Sequence, residues 1–466
     1  MLNITLTNSK SRIEGPEKII HKLHKNEKEF AIRAAGAFFA PSFRNRSWDG
    51  MVRYISEAGY FETGLFPKIV EYLKRNKLEF KVTDNRDRFE YDNIPRKLGN
   101  DILRDYQGDA LSSVVNNIVD NIPFPRGIIG AATNAGKTII IAGIFKAYNK
   151  PTILLLNSKD LFVQALGDMN RFLPGRVGQI SADKTEWNEF MICMVPTMSK
   201  RIDKIKSQLA KFEVCLVDEC DLSTSKSYTG ILKYLYNCYV KVGLSGSPFK
   251  HKDKNKNEKI RCLFGDVIYT INNKVLIERG FSAPVKVRII KGNETIKLPG
   301  DYEGEVKQGI ILNKDRNNTI KRRAKYHYKY KRFPMLIITK HHKHIDILYR
   351  KLKTLGINVK SVHHKTPDRQ GIIQDFKDGK IDILVGSMIL KRGMNFPLMK
   401  YILNAGGGDS IPNVLQILGR ATRRDDSKTK TVLEDFFDQG AYIQRHSKHR
   451  IKCYKDEGLE VVEEYK

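Results

Sequence analysis

The chain has 466 residues, 41% of them apolar, with 82 Lys and Arg against 52 Asp and Glu, a formal charge of +30. No apolar run approaches the roughly 18 residues of a membrane span, residues 1–12 lack the apolar segment of a secretory leader, and the composition is too apolar for a disordered chain. The length suggests about three domains, and the charge a polyanionic partner rather than a membrane. The six cysteines form no C-x-x-C pair and several lie in apolar runs, so buried thiols in a reducing compartment, the cytoplasm, are expected.

Residues 1–93 read as a small α/β unit carrying 17 of the basic and 13 of the acidic residues, so most of the positive excess lies further along. Asn3–Asn8 alternates like a strand. Pro16–His24 sets Ile19, Ile20 and Leu23 on one helical face, and a helix over Pro67–Asn76 precedes a strand over Leu78–Val82. Asp84–Asn100 is polar, contains Pro95 and Gly99, and reads as a linker.

From about residue 101 short apolar strands alternate with helical stretches. They are Gly127–Gly130, Thr152–Leu156, Met191–Val195, Val214–Val217 and Val242–Leu244. Such alternation predicts a parallel sheet covered on both faces. A Lys- and Asn-rich loop over Phe249–Ile260 interrupts it. Strands resume at Met335–Thr339, Ile381–Gly386 and Tyr401–Asn404. The fold class is therefore α/β, with parallel-sheet domains over 94–272 and 273–466 behind the small N-terminal one.

Ala131 to Thr138 follows a strand and opens an apolar helix, Ile139–Tyr148. It departs from G-x-x-x-x-G-K-[ST] only in having Ala131 at the first position. Thr133, Asn134, Ala135 and Gly136 offer backbone N–H groups to phosphate oxygens, Lys137 a cation for the β- and γ-phosphates, and Thr138 a hydroxyl for Mg²⁺. At the end of the buried strand over 213–217 stand Asp218, Glu219, Cys220 and Asp221. Ligands of open α/β sheets bind at that edge. Asp218 is placed to hold Mg²⁺ and Glu219 to orient or deprotonate the attacking water. A nucleotide with Mg²⁺ is therefore the expected ligand.

Other segments fall in a telling order. Leu103 to Gln107 precedes the phosphate loop, Leu244-Ser245-Gly246-Ser247-Pro248 follows the acidic cluster, and Gln416-Ile-Leu-Gly419-Arg420-Ala-Thr-Arg423 lies near the C-terminus. Together these resemble the motifs of superfamily 2 helicases, a family of two tandem RecA-like parallel-sheet domains. The resemblance implies that Gln107 reads adenine while Arg104 stacks on it, and that Ser245–Pro248 couples the nucleotide to the nucleic acid. It implies that the nucleotide is ATP, and that Arg420 and Arg423 approach the γ-phosphate as fingers stabilising charge on the transferred phosphoryl group, with Gln416 a further catalytic residue of the same motif. Gly393 and Asn395 fall in its fifth motif, Asn395 where many relatives carry Asp. Asn157, Ser158, Lys159, Thr197, Thr339, Lys340, His341, Gly386 and Ser387 fall on its nucleic-acid track, whose contacts go to sugar and phosphate.

The N-terminal segment Phe43 to Gly50, with Trp48, is similar to the accessory domain of the UvsW-type branched-DNA helicases of tailed phages. That resemblance implies a monomer in the cytoplasm of a bacterial host. It implies ATP-driven unwinding or branch migration of forks, Holliday junctions, D-loops or R-loops, with Trp48 near the DNA; a core anchor is the alternative for Trp48. An RNA helicase, a duplex translocase that separates no strands, a restriction-type motor subunit and a non-catalytic DNA-binding protein remain alternatives.

Residues 320–333 carry seven Lys or Arg and no acid. Helical spacing of Tyr326, Tyr330 and Phe333 predicts a packed aromatic stripe beneath a basic face. His341, His342, His344, His363 and His364 read as polar loop residues rather than metal ligands.

Overall fold

Leu2, Ile4 and Leu6 alternate along the first strand, Leu2–Leu6, and all three are buried. The computed structural model of the chain describes residues 1–132, 134–251, 253–291, 298–330, 334–387, 399–409, 414, 418 and 431–464. The opening strand lies in a four-stranded sheet, ordered Tyr60–Glu62, Lys10–Glu14, Leu2–Leu6, Phe80–Asp84. The helices Glu17–His24 and Phe66–Arg75 bury Ile20, Leu23, Phe66, Ile69 and Leu73. Phe124 and Cys262, far along the chain, complete that core.

By its contacts the chain forms two units, 1–131 with 135–271, and 132–134 with 272–466. The first unit also holds a separate eight-stranded sheet. Six successive strands, ending at the sheet edge, run Phe190–Met194, Thr152–Leu156, Val214–Asp218, Val240–Ser245, Arg126–Ala131, Val267–Ile271, each parallel to the next. Arg126, 1% exposed, ties the two sheets together. Its guanidinium donates to the carbonyl oxygens of Asn8, Cys238 (2.7 Å) and Tyr239 (3.1 Å). The segment expected as a linker lies against this unit. Phe89 packs edge-on to Tyr148 and Tyr239, and the Asp92 N–H donates to the Ala147 carbonyl at 2.8 Å.

The loop expected over Phe249–Ile260 is in large part the helix Lys254–Phe264, capped by Asp253 on the Asn255 N–H. Its buried face includes Asn255 and Glu258, so apolar periodicity could not show it. Glu258 pairs with Lys68 (2.6 Å) and Arg261 (2.5 Å), and the Tyr54 hydroxyl donates to the Asn255 side chain (2.8 Å).

The second unit holds a seven-stranded, wholly parallel sheet. The order is Val359–Val362, Ile383–Ser387, Met335–Thr339, Tyr401–Asn404, Thr431–Phe437, Val285–Lys291, Glu460–Glu464. Thr431–Phe437 carries two adjacent acids to opposite faces, as a strand's period of two demands. Glu434 meets His327 (2.9 Å) and Arg323 (3.1 Å) from the helix Lys314–Lys329. Asp435 meets Arg450 (2.8 Å) and Tyr454 (2.7 Å) from the helix Ala441–Asp456. Burial works against the Glu434 carboxylate, yet His327 and Arg323 hold it below the usual range. Two parallel-sheet units of this kind make a tandem RecA-like architecture. Among the described residues no helix is long and apolar enough to cross a membrane.

Candidate nucleotide site and nucleic-acid track

The strand Arg126–Ala131 ends in a loop whose last residue, Gly136, takes φ 75° and caps the helix Lys137–Tyr148. Asn134 also takes φ 75°. Left-handed residues ahead of a helix N-terminus turn successive N–H groups inward, a geometry suited to an anion. Glycine is favoured at 136, because few L side chains adopt φ 75° and a Cβ there would press on the Gln107 amide nitrogen, 2.3 Å away. Gln107 is 1% exposed. It donates to the Ala135 carbonyl (3.1 Å) and accepts from the Arg104 N–H (2.9 Å). The Arg104 guanidinium donates to the Tyr106 hydroxyl at 2.8 Å. Gln107 thus props the loop, a contact that motif order alone did not disclose.

Lys137 reaches the carboxylate of Asp218, 3.1 Å away, with 24% of its side chain exposed. Burial opposes the ammonium, but the Asp218 and Glu219 charges outweigh it and raise the Lys137 pKa. Thr138, half-buried, sits in the first turn of the same helix. Glu219 is left-handed, φ 53°, a conformation costing a non-glycine about 1 kcal/mol or more. Its N–H donates to Asp218 at 2.9 Å.

Val240–Ser245 lies between the strand that leads to the loop and the strand that ends in Asp218. The Ser245 hydroxyl therefore donates to Asp221 (3.1 Å) and accepts from the Ser247 N–H (3.1 Å). His251 meets the Asp221 carbonyl at 2.9 Å. Lys137, Asp218, Glu219 and the serine loop thus form one connected cluster at one sheet edge. It joins a cation, two carboxylates and a turned backbone, which suits a phosphate chain with a divalent ion.

The same edge carries Asn157, Ser158 and Lys159 after Thr152–Leu156, and Thr197 after Phe190–Met194. Ser158 is buried, Asn157 and Thr197 are half-buried and Lys159 is exposed. In the second unit Lys340 is exposed, and His341 and Ser387 are half-buried. Thr339 and Gly386 are buried, so neither offers a side chain to solvent. Trp48 is half-buried and donates its indole N–H to the Met51 carbonyl at 2.9 Å. Thr133, Gly393, Asn395, Gln416, Arg420 and Arg423 lie outside the described residues.

Two sequence expectations change. Tyr326, Tyr328 and Tyr330 are 41%, 46% and 51% exposed, so they form no packed stripe. The buried face of their helix is instead Arg316, Asn317, Ile320, Ala324 and His327, a polar stripe matched by Asp438 and Glu434. Phe333 lies outside the described residues. Among the histidines, His344 is no loop residue: it is buried against Thr339 and Asn317. His342, His363 and His364 converge, their ring nitrogens within 4.8 Å. Five of the cysteines are buried free thiols, as expected, and Cys453 is half-buried.

Residues 100–250 match the family described as type III restriction enzyme, res subunit, and residues 320–425 match the helicase conserved C-terminal domain. The chain is 24% identical to the ATP-dependent DNA helicase uvsW of Enterobacteria phage T4, over 97% of this chain and 96% of that protein. It is 23% identical to a DNA 3'-5' translocase of Sulfurisphaera tokodaii, over 75% of this chain and 84% of the relative. The DNA-bound type ISP restriction-modification enzyme LlaBIII shares the fold at a TM-score of 0.57 and 12% identity, covering 85% of this chain and 34% of that one.

Proposed function

We propose that this chain, a superfamily 2 helicase similar to UvsW, is an ATP-driven DNA motor that unwinds or branch-migrates forked and four-way DNA. The observation that carries the reading is the Lys137–Asp218 pair beside Glu219, beneath a loop turned by Gly136. Similarity to the phage DNA helicase along nearly the whole chain supports DNA as the track.

The residues present fit a magnesium nucleotide: an anion-binding loop, a buried-side cation, a hydroxyl and a carboxylate at one edge. Lys137 would hold the β- and γ-phosphates, and Thr138 and Asp218 the metal. ATP supplies the phosphoryl group whose transfer to water drives the cycle. Lys137 and Asp218 neutralise one another when nothing separates them. Lys137 would turn to phosphate oxygens and Asp218 to a divalent ion, so their mutual ion pair would part on loading. Glu219 would then orient water and take its proton. By the helicase resemblance, Arg420 and Arg423 would stabilise the charge that develops on the γ-phosphate. Asp221 and Ser245 connect the acidic cluster to the serine loop, a route by which nucleotide state reaches the nucleic-acid track. The charge of +30 suits a backbone-dominated, salt-sensitive grip on DNA.

The test compares a mobile four-way junction, a fork, a linear DNA duplex and an RNA duplex, with Glu219→Gln as control. Wild type should remodel the junction and fork with ATP. The variant should bind ATP yet lose at least about a hundredfold in turnover. Remodelling of no branched DNA, preference for the RNA duplex, or normal turnover by the variant would overturn the reading.

A further inference from the structure

Residues 33–53 carry Arg33, Arg44, Arg46 and Arg53 against one acid, Asp49. Asp49 is engaged: it pairs with Arg53 and accepts the Met51 N–H. Within this basic segment Gly36, at φ 73°, turns the chain into a single helical turn, Ala37–Phe39. Ala37 is buried and anchors the turn. Phe38 and Phe39 project outward, 62% and 77% exposed.

The turn stands on a firm base. The Phe38 ring meets Phe43 edge-on at 5.2 Å, and the Arg33 guanidinium lies 5.5 Å from the Phe38 ring and 6.0 Å from Phe43. Ala31–Arg33 pairs with Met51–Arg53, and the Asn255 amide donates to the Arg33 carbonyl at 2.8 Å. The last contact fixes the turn to the helix Lys254–Phe264 of the same unit.

Two adjacent aromatic rings held in water forgo most of the burial that stabilises such residues, and apolar projections with a polar rim commonly mark a binding surface. The rim here is arginine. Arginine matches phosphate, and an aromatic face matches a nucleobase. Bases inside a duplex already stack on their neighbours, whereas unpaired bases have free faces. A second copy of this chain is a poor occupant, because both copies would bring the same cluster of arginines.

We infer that Phe38 and Phe39 form a stacking platform for unpaired nucleobases, with Arg33, Arg44 and Arg46 holding the adjoining phosphates. The inference rests on the proposed action on branched DNA and names where the first unit would meet the strands at a junction.

The test uses the full chain without nucleotide and two fluorescent forks, one with ordinary single-stranded arms and one with abasic arms. Base stacking of this kind should make wild type bind the base-bearing fork about tenfold more tightly. Phe38→Ala with Phe39→Ala should bind both forks equally, and Phe38→Trp with Phe39→Trp should keep the preference. An alanine variant that keeps the preference overturns the inference. So does one that loses affinity for both forks by the same factor, or a wild type whose only use of this face is self-association in sedimentation. Wild type that binds no DNA defeats the proposed function itself. Wild type that remodels forks yet shows no base preference defeats this inference alone.

Discussion

Acidification from pH 8 to pH 5 is expected to weaken the second unit through one side chain, His344. The Asn317 amide nitrogen donates to the Ile311 carbonyl (3.0 Å), so its oxygen accepts from His344 Nε2–H (2.9 Å). Nδ1 is then left to accept the Thr339 hydroxyl at 2.9 Å. The neutral ring is fully satisfied, and a second proton would have to be placed on a nitrogen already accepting. Burial, then the charges of Arg316 and His341, push the His344 pKa from 6.5 down to about 3. The unfolded chain therefore takes up this proton near pH 6.5 and the folded chain only near pH 3. The contribution is whole above pH 6.5 and is lost as the pH falls through that window. Linkage between those two values gives a loss of about 2 kcal/mol by pH 5. Hydrogen exchange of Met335–Thr339, corrected for intrinsic rates, reads it directly. Wild type should lose about 2 kcal/mol more protection than His344→Gln, whose side chain does not titrate. Parallel losses in the two proteins would show that His344 does not carry this pH dependence.

Gly136→Ala places a methyl group 2.3 Å from the Gln107 amide in a left-handed backbone. A fluorescent-nucleotide titration should show affinity falling by about tenfold or more; unchanged binding would mean the loop does not hold phosphate. Arg126→Met leaves three buried carbonyls without their donor and should cost about 3–5 kcal/mol in urea unfolding of the first unit. A cost below about 1 kcal/mol would show that water replaces the guanidinium.

Much of the fold was legible where burial is apolar. Thr152–Leu156, Met335–Thr339 and Tyr401–Asn404 coincide with the strands read from the sequence. The glycine-lysine loop and the acidic cluster, singled out by residue type rather than by packing, do lie together through the Lys137–Asp218 pair. Elements whose inner face is polar were not legible. Thr431–Phe437 holds Glu434 and Asp435, and the helix Lys254–Phe264 buries Asn255 and Glu258. Their partners come from Lys68, His327, Arg323 and Arg450, distant in sequence, so no local pattern announces the burial. The exposed tyrosines fail for the converse reason. Helical spacing shows which residues share a face, and only the neighbouring strands decide which face turns inward.

The Arg126 guanidinium and the shared apolar core have a practical consequence for anyone dissecting this chain. Residues 1–93 are no detachable module. Cutting after them would strip the cover from Phe124 and Cys262, orphan Glu258 from Lys68 and leave Arg126 without the Asn8 carbonyl. The shortened protein would carry a raw apolar face and a buried cation seeking water. Its insolubility would reflect a wound in the first unit and be easily mistaken for loss of a DNA-binding part. Point substitutions on the exposed turn at Phe38 and Phe39 leave that seam intact.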